Sequence, residues 1–227
     1  MLDLGAGGGA ITARLAESGA RVIAVERDPR LAARLRRRFV GDPRVRVVEA
    51  DLRQVKLPRR EFLVVASPPF SLTTALCRRL LGDPDVRLTA AELIMQDGAA
   101  RWLASPRPRD AETAWWTARY QVRLTRTVSA ASFTPPPSVA AARLSIRPRP
   151  TPAPALRQLR ALLRSAYRTP GAKASAVLAS TAAPGAPGAP AGRRLLIHAG
   201  VDPGSLVTDV TAEQWHCLAL LLAGRDL

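Results

Sequence analysis

The sequence predicts an α/β fold with a mostly parallel sheet, followed by a small helical domain. Over the first 147 residues, short apolar and β-branched runs alternate with segments of helical periodicity, which is typical of strands joined by crossover helices. After a proline-rich joint at 148–154, only helical periodicity follows. We therefore expect a larger domain over residues 1–148 and a helical C-terminal domain over 149–227.

Within the larger domain, each predicted strand is a short apolar run that leads into a helix or a loop. Pro29 opens one of these helices, at a first-turn position where its missing amide donor costs nothing. An antiparallel pair of strands is expected to close the domain. The predicted strands are 1–4, 21–26, 45–51, 61–67, 92–96, 119–130 and 139–148, and the predicted helices are 10–19, 29–39, 72–81 and 97–104.

The C-terminal part of the chain carries helical signals and one low-complexity segment. Leucines at helical spacing predict a helix over 156–167. The Pro/Gly/Ala-rich stretch 182–192 predicts a flexible loop. Thr211 followed three residues later by Gln214 has the spacing of a capping box, which predicts a final helix over 211–223.

The charge balance indicates a polyanionic partner. Lysine and arginine number 34 against 18 acidic residues, for a net charge of +16, and RNA or DNA is the usual partner of such a chain. High-GC coding also enriches arginine, but it does not account for the scarcity of acids. Candidate phosphate contacts are the run 34–38, Arg78, Arg79, Arg157, Arg160, Arg164 and Arg168.

Several classes of protein are disfavoured by the composition. No apolar run is long enough to span a bilayer, and the N-terminus lacks the pattern of a signal peptide. Cys77 and Cys217 are far apart, and with only two histidines a zinc site is not expected. We expect a cytoplasmic monomer with free thiols, no metal and no membrane partner.

A glycine-rich loop, 3-DLGAGGG-9, follows the first predicted strand and precedes a helix. Such a loop lets the backbone approach a ligand closely, and Gly5 and Gly7 also fit a dinucleotide fingerprint. The carboxylate of Asp3 favours a ligand whose near end is cationic. S-adenosylmethionine carries an ammonium and a sulfonium, whereas NAD presents an anionic pyrophosphate, so we favour the methyl donor.

Two further carboxylates follow the next two predicted strands. Glu26 ends the second strand, where an acid can accept both ribose hydroxyls of an adenosine. Asp51 ends the third strand, where it could accept from the adenine amino group. Each acid alone is more often a cap or a turn residue. Three acids beside a glycine loop, at the carboxyl ends of successive strands, predict an S-adenosylmethionine site.

The fourth predicted strand ends in 67-SPPF-70. Two prolines stop the strand and hold the backbone extended. This matches the pattern (Asp/Asn/Ser)-Pro-Pro-aromatic of methyltransferases that act on exocyclic amino groups of bases. The Ser67 hydroxyl and the Pro68 carbonyl can accept hydrogen bonds from an amino group, while Phe70 can stack on a base.

With these motifs, the chain resembles the rRNA adenine N6-methyltransferase family, which includes 16S rRNA dimethyltransferases and erythromycin-resistance 23S rRNA methyltransferases. The similar segments include DLGAGGGAIT, AVERD, EADLRQVKLP and ASFTPPPSVAAARLSI. PPFSLTTALCRRLL and AWWTARYQVRL are closer to the resistance branch. The resemblance implies a Rossmann-like class I methyltransferase domain and methylation of adenine N6 in rRNA. It favours 23S over 16S rRNA, with macrolide-type resistance as the consequence.

The resemblance also implies roles for individual residues. Those assigned to the cofactor are Asp3, Gly5, Ala6, Gly7, Glu26, Arg27, Asp51, Leu52 and Ser67. Those assigned to catalysis are Ser67, Pro68 and Phe70, and those assigned to the target base are Phe70, Phe133 and Pro135.

The sequence departs from the family in two places. Asn is usual at the position of Ser67, so we expect reduced or altered activity. The family's N-terminal Gln-Asn-Phe segment does not precede Met1, so either the start of the chain is misassigned or truncated, or the protein binds its cofactor weakly through an open pocket. The alternatives are a 16S dimethyltransferase of ribosome biogenesis and a non-catalytic RNA-binding protein on this fold.

Overall fold

A computed structural model of the chain describes residues 1–133, 136–180 and 189–224. Its contacts form two compact units: residues 1–102 with 122–148, and residues 103–121 with 149–227. The segment 103–121 was expected in the larger domain, whereas its contacts group it with the C-terminal residues. The domain boundary at residue 148 therefore stays a prediction. The contacts differ from it in grouping residues 103–121 with the C-terminal residues.

The first unit is built on a seven-stranded sheet with the order β3-β2-β1-β4-β5-β7-β6. The pairs β2–β3, β1–β2, β1–β4 and β4–β5 are parallel, and β7 is antiparallel to β5. The sheet is therefore mostly parallel, as the sequence predicts. The strands are β1 (Leu2–Leu4), β2 (Val22–Glu26), β3 (Val45–Glu49), β4 (Phe62–Ala66), β5 (Leu88–Gln96), β6 (Tyr120–Val128) and β7 (Ala141–Pro148).

The strand order reverses at the centre of the sheet. β1 pairs with β2 on one side and with β4 on the other, so successive strands run outward in both directions from this point. Open α/β sheets bind ligands in the crevice beyond the carboxyl ends of the strands at such a reversal. The glycine loop after β1 and the 67-SPPF-70 segment after β4 both lie at this position.

Four helices belong mainly to this unit, and the sequence sets where they begin. Asp28 caps one of them, accepting from the amides of Arg30 at 2.8 Å and Leu31 at 3.2 Å, and Pro29 follows in the first turn. The helices are α1 (Ala10–Glu17), α2 (Pro29–Arg38), α3 (Thr73–Leu81) and α4 (Asp97–Leu103).

The second unit is helical. Its core includes Leu159, Leu163, Trp215 and Leu218, all fully or almost fully buried. The capping box is confirmed, because Thr211 and Gln214 each accept from the other's backbone amide. The helices are α5 (Ala111–Arg119), α6 (Ala153–Ala166), α7 (Ala174–Ser180), α8 (Ala189–His198) and α9 (Ala212–Ala223).

Two predictions for this unit need correction. α8 begins at Ala189, so the predicted loop 182–192 is helical over its last residues, while 181–188 lie outside the described residues. α5 was not predicted; it forms because Ala114 and Ala118, one turn apart, pack into the core and Asp110 caps the first turn. Within the described ranges, no helix is both long and apolar enough to cross a membrane.

Candidate active site

The glycine loop is held against the end of β2. The amides of Gly5 and Ala6 both donate to the carbonyl of Val25, at 2.9 and 3.0 Å. Gly5 has a left-handed φ of 83°, and a Cβ built on it would lie 3.3 Å from the Cα of Pro68. The absence of a side chain therefore lets the loop after β1 and the loop after β4 touch.

Asp3 lies beneath this loop. It exposes no surface, and its Oδ2 accepts from the Thr12 hydroxyl at 2.6 Å, while Oδ1 has no partner in the described part of the chain. Burial raises the pKa of Asp3 to about 6, against the opposing effect of the Thr12 hydrogen bond. Direct contact with a donor would need the loop to move. Asp3 ties β1 to α1 through Thr12, and its assigned contact with the cofactor stays a prediction.

Glu26 lies at the carboxyl end of β2, where the sequence placed it. Its two carboxylate oxygens accept from the amides of Gly7 at 2.8 Å and Asp28 at 2.9 Å. A carboxylate has about four acceptor positions, so two remain available to ribose hydroxyls. The bond to Gly7 also orders the glycine loop, which links two predicted cofactor residues directly.

Asp51 follows β3, whose last residue is Glu49. Both of its oxygens are engaged by the guanidinium of Arg53, with the closest pair 2.6 Å apart, and Arg27 lies 3.7 Å away. The hydrogen bonds from Arg53 hold the pKa of Asp51 far below its usual range. The charged form of Asp51 is thereby favoured, and Arg53 occupies the oxygens that would accept from an adenine amino group.

The 67-SPPF-70 segment leaves β4 and turns into α3. Pro68 is buried, Ser67 and Phe70 are half-buried, and the amide of Leu72 donates to the Pro69 carbonyl at 2.9 Å to start a 3₁₀ turn. In the described part of the chain, no backbone amide of a turn or loop donates to the Pro68 carbonyl, and a hydroxyl such as that of Ser67 carries two acceptor lone pairs. Both oxygens can therefore accept from an incoming amino group.

These loops enclose a small cleft at the strand-order reversal. Its volume of about 140 Å³ is below the range of about 300–1,000 Å³ that is usual for ligand sites. Five predicted cofactor residues meet there, together with residues from the loop after β4. The lining residues are Gly5, Val25, Glu26, Arg27, Asp28, Ala50, Asp51, Leu52, Pro69 and Leu72.

The described residues with a predicted site role that do not line this cleft are Asp3, Ala6, Gly7, Ser67, Pro68, Phe70 and Phe133. Ala6 is buried and packs against Ala24 and Leu35 under the glycine loop. Phe133 is half-buried after a short 3₁₀ turn, and its assigned contact with the target base stays a prediction. Pro135 lies outside the described residues.

Residues to which the sequence assigned no role in the donor site support it. Thr12 bonds to Asp3, Arg53 pairs with Asp51, and Arg38 donates to the Gly8 carbonyl at 2.7 Å. Only Arg53, two residues after its partner, carried a local signal. The other two contacts join residues that are far apart along the chain.

The predicted RNA-binding arginines divide into two groups. Arg36 pairs with Glu49 at 3.0 Å, and Arg38 and Arg79 bond to backbone carbonyls, so these three serve the fold rather than a free basic surface. On α6, by contrast, Arg157, Arg160 and Arg164 are exposed and spaced three and four residues apart. Their spacing places them on one helix face, with the Arg160 guanidinium 5.8 Å from the Trp115 ring.

Comparison with known proteins agrees with this architecture. The family model for ribosomal RNA adenine dimethylase matches residues 1–223. The mycinamicin-resistance protein MyrB of Micromonospora griseorubida is 35% identical over 221 residues, which cover 96% of this chain and 68% of MyrB. The crystal structure of the 23S rRNA methyltransferase ErmE superposes with a TM-score of 0.79 at 28% identity, covering 97% of this chain and 89% of that one.

A shorter match is found to an rRNA adenine N-6-methyltransferase of Bacillus licheniformis. It is 28% identical over 146 residues, which cover 64% of this chain and 51% of the relative. The chain therefore spans about half the length of the first such curated relatives. Because the family model fits nearly all of the chain and MyrB aligns along almost its full length, the chain belongs to the ribosomal RNA adenine dimethylase family.

Proposed function

We propose that this protein transfers a methyl group from S-adenosylmethionine to the exocyclic N6 of an adenine in rRNA, and that the rRNA is 23S. The observation that carries the proposal is the contact between the loop after β1 and the loop after β4, where a Cβ on Gly5 would come within 3.3 Å of Pro68. The cleft suited to a donor thereby borders the 67-SPPF-70 segment, of which Pro69 lines the cleft itself.

The residues of the cleft fit a nucleoside-containing donor. Glu26 keeps acceptor positions for ribose hydroxyls, and the lack of a side chain at Gly5 and Gly7 lets a ligand approach the loop backbone. Leu52 and Leu72 supply apolar walls that suit a purine ring. When bound, S-adenosylmethionine supplies an electrophilic methyl group on a sulfonium, which needs no metal.

The loop after β4 fits an aromatic amine. The lone pair of such an amine is delocalised into its ring, so the protein must orient the nitrogen rather than deprotonate it first. The Ser67 hydroxyl and the Pro68 carbonyl can accept the two amino protons, and the buried Pro68 holds its carbonyl in place. Phe70, half-buried at the start of the 3₁₀ turn, can stack on the extruded base.

The choice of 23S rRNA rests on the relatives that match the chain along most of its length. MyrB is named as a mycinamicin-resistance protein, and ErmE is a 23S rRNA methyltransferase. On this basis we propose macrolide-type resistance as the biological outcome. A 16S dimethyltransferase and an RNA-binding protein without activity are the two competing outcomes of the test.

The test is transfer of labelled methyl from S-adenosylmethionine to protein-free 23S rRNA and, in a separate reaction, to 30S subunits. We expect label in 23S rRNA alone, and Ser67→Ala should lower the rate about tenfold by removing one amino-group acceptor. Ser71→Ala is the matched control, because it removes an exposed hydroxyl that has no assigned role in holding the amine.

Each alternative result has a distinct meaning. Label in 30S subunits alone would assign the chain to the small-subunit branch of the family. Binding of rRNA without any transfer of label would leave the fold with an RNA partner but without the proposed chemistry.

A further inference from the structure

Arg79 of α3 makes a forked contact with the loop that carries Asp51. Its Nη1 donates to the carbonyl of Arg53 at 2.7 Å, and its Nη2 donates to the carbonyl of Val55. Its side chain is half-buried, and its Nε is buried without a partner in the described ranges. The guanidinium thus uses its two terminal nitrogens on two backbone carbonyls of one short loop.

The loop 51–55 is a tight turn that hydrogen bonds within the loop itself help to close. The amides of Gln54 and Val55 both donate to the carbonyl of Asp51, at 2.9 Å each. The carbonyls of Arg53 and Val55 take no part in these two bonds, and both accept from Arg79. The loop places Asp51 and Leu52 in the cleft, so its conformation decides the shape of the cleft wall.

Arg79 also connects this loop to the acceptor side of the site. α3 begins at Thr73, directly after Leu72, which lines the same cleft as Leu52. Fixing Arg79 to the loop therefore fixes the spacing between the two apolar walls. From the sequence, Arg79 is a candidate phosphate contact. In the structure, its two terminal nitrogens instead donate to backbone carbonyls of the protein.

We propose that Arg79 is a positioning residue that holds the loop 51–55 in the conformation that binds the methyl donor. The inference rests on the proposed function, since it assigns a role within that donor site. Arginine suits the task because its planar fork presents two parallel donors, whereas a lysine ammonium can satisfy one carbonyl well but not both in the same geometry.

The test measures the dissociation constant of S-adenosylmethionine by calorimetry, without RNA, for the unmodified chain, Arg79→Ala and Arg79→Lys. Removing charge-assisted bonds to two carbonyls should raise the constant about tenfold in Arg79→Ala and about threefold in Arg79→Lys. Arg14→Ala is the control: it removes the same charge from a side chain that is 84% exposed. Its constant should stay within about twofold of that of the unmodified chain.

Two further readouts separate positioning from general destabilisation. Hydrogen exchange of the Gln54 and Val55 amides should accelerate in Arg79→Ala before any ligand is added, because the turn loses its anchor. With saturating donor, the methyl-transfer kcat should stay within about twofold of the original value, since the acceptor residues are unchanged. If Arg79→Ala does not fold, the same measurements on Arg79→Lys decide whether Arg79 positions the loop.

The failures of the two proposals look different. An active chain whose donor affinity and loop exchange do not respond to either Arg79 variant would overturn the role of Arg79 alone. A loss of kcat that matches the loss of donor affinity, together with faster exchange throughout the first unit, would make Arg79 a general stability residue. An unmodified chain that neither binds the donor nor transfers methyl would overturn the proposed function and the Arg79 inference with it.

Discussion

Gly5→Ala is the substitution that tests the contact between the two loops most sharply. Gly5 combines a left-handed φ of 83° with a close neighbour, because an added Cβ would lie 3.3 Å from Pro68 Cα and 3.6 Å from Pro69 Cδ. Both neighbours belong to the stiff segment that presents the acceptor oxygens. The new methyl group can be accommodated only if that segment moves by a few tenths of an ångström.

Two costs can be estimated separately. The left-handed backbone costs an alanine about 1–2 kcal/mol relative to glycine. The 3.3 Å contact adds up to about 1 kcal/mol if the proline segment yields. For activity the displacement matters more than the energy, because small errors in positioning reacting groups reduce rates steeply. We expect methyl-transfer kcat to fall about tenfold or more.

Gly19→Ala provides the matched control. Gly19 has the same φ of 83°, but no atom lies within 4 Å of the position of an added Cβ. Chemical denaturation of both variants gives the backbone cost from Gly19→Ala and the contact cost from the difference. Methyl transfer to rRNA at saturating donor then shows whether the contact acts on catalysis.

We expect Gly5→Ala to be less stable than Gly19→Ala by up to about 1 kcal/mol, and kcat to fall in Gly5→Ala alone. Equal kcat values would refute the reasoning, because the loop contact would then have no bearing on the acceptor segment. A drop in both variants would show that left-handed strain, and not the contact with Pro68, controls activity.

Three further predictions follow from the same structure. Because the folded-state pKa of Asp3, about 6, lies above the usual 3.8, its ionisation opposes folding as pH rises through that window. Between about pH 5 and 7 the unfolding free energy of the original chain, measured by urea titration, should therefore fall by about 1 kcal/mol more than that of Asp3→Asn. An equal dependence of the unfolding free energy on pH in the two proteins would contradict this. Arg53→Ala should tighten S-adenosylmethionine binding about threefold by freeing Asp51, and weaker binding in calorimetry would show that Arg53 helps the donor instead. Exchanging Arg157 and Arg164 for Gln should lower the slope of log affinity against log salt for rRNA by about 1.5, and an unchanged slope would remove α6 from the RNA surface.

Much of the first unit could be predicted because its signals are local. The apolar runs at β1 to β5 and the glycine loop depend on residues close together in sequence. The capping box at Thr211 is likewise a four-residue pattern, and it forms as expected. Glu26 could be placed at the cleft because the end of a parallel strand fixes where its side chain lies.

The support of the site could not be predicted in this way. Arg38 reaches the Gly8 carbonyl across 30 positions, and Arg79 reaches the loop 51–55 across more than 20. Every residue has a backbone carbonyl, so the sequence does not show which carbonyl an arginine will bind. In the sequence, an arginine that bonds to a carbonyl therefore looks the same as one that faces solvent. α8 was missed because its first turn consists of Ala, Pro and Gly, and a low-complexity pattern of these residues is typical of loops.

The identity of the modified nucleoside tests the central claim most directly. After the chain has been incubated with S-adenosylmethionine and protein-free 23S rRNA, the rRNA is digested to nucleosides and analysed by mass spectrometry. Positioning of an exocyclic amine by Ser67 and Pro68 predicts N6-methylated adenosine, diminished in Ser67→Ala. Methylation on a ring carbon or a ribose hydroxyl, or no methylated nucleoside at all, would contradict the account.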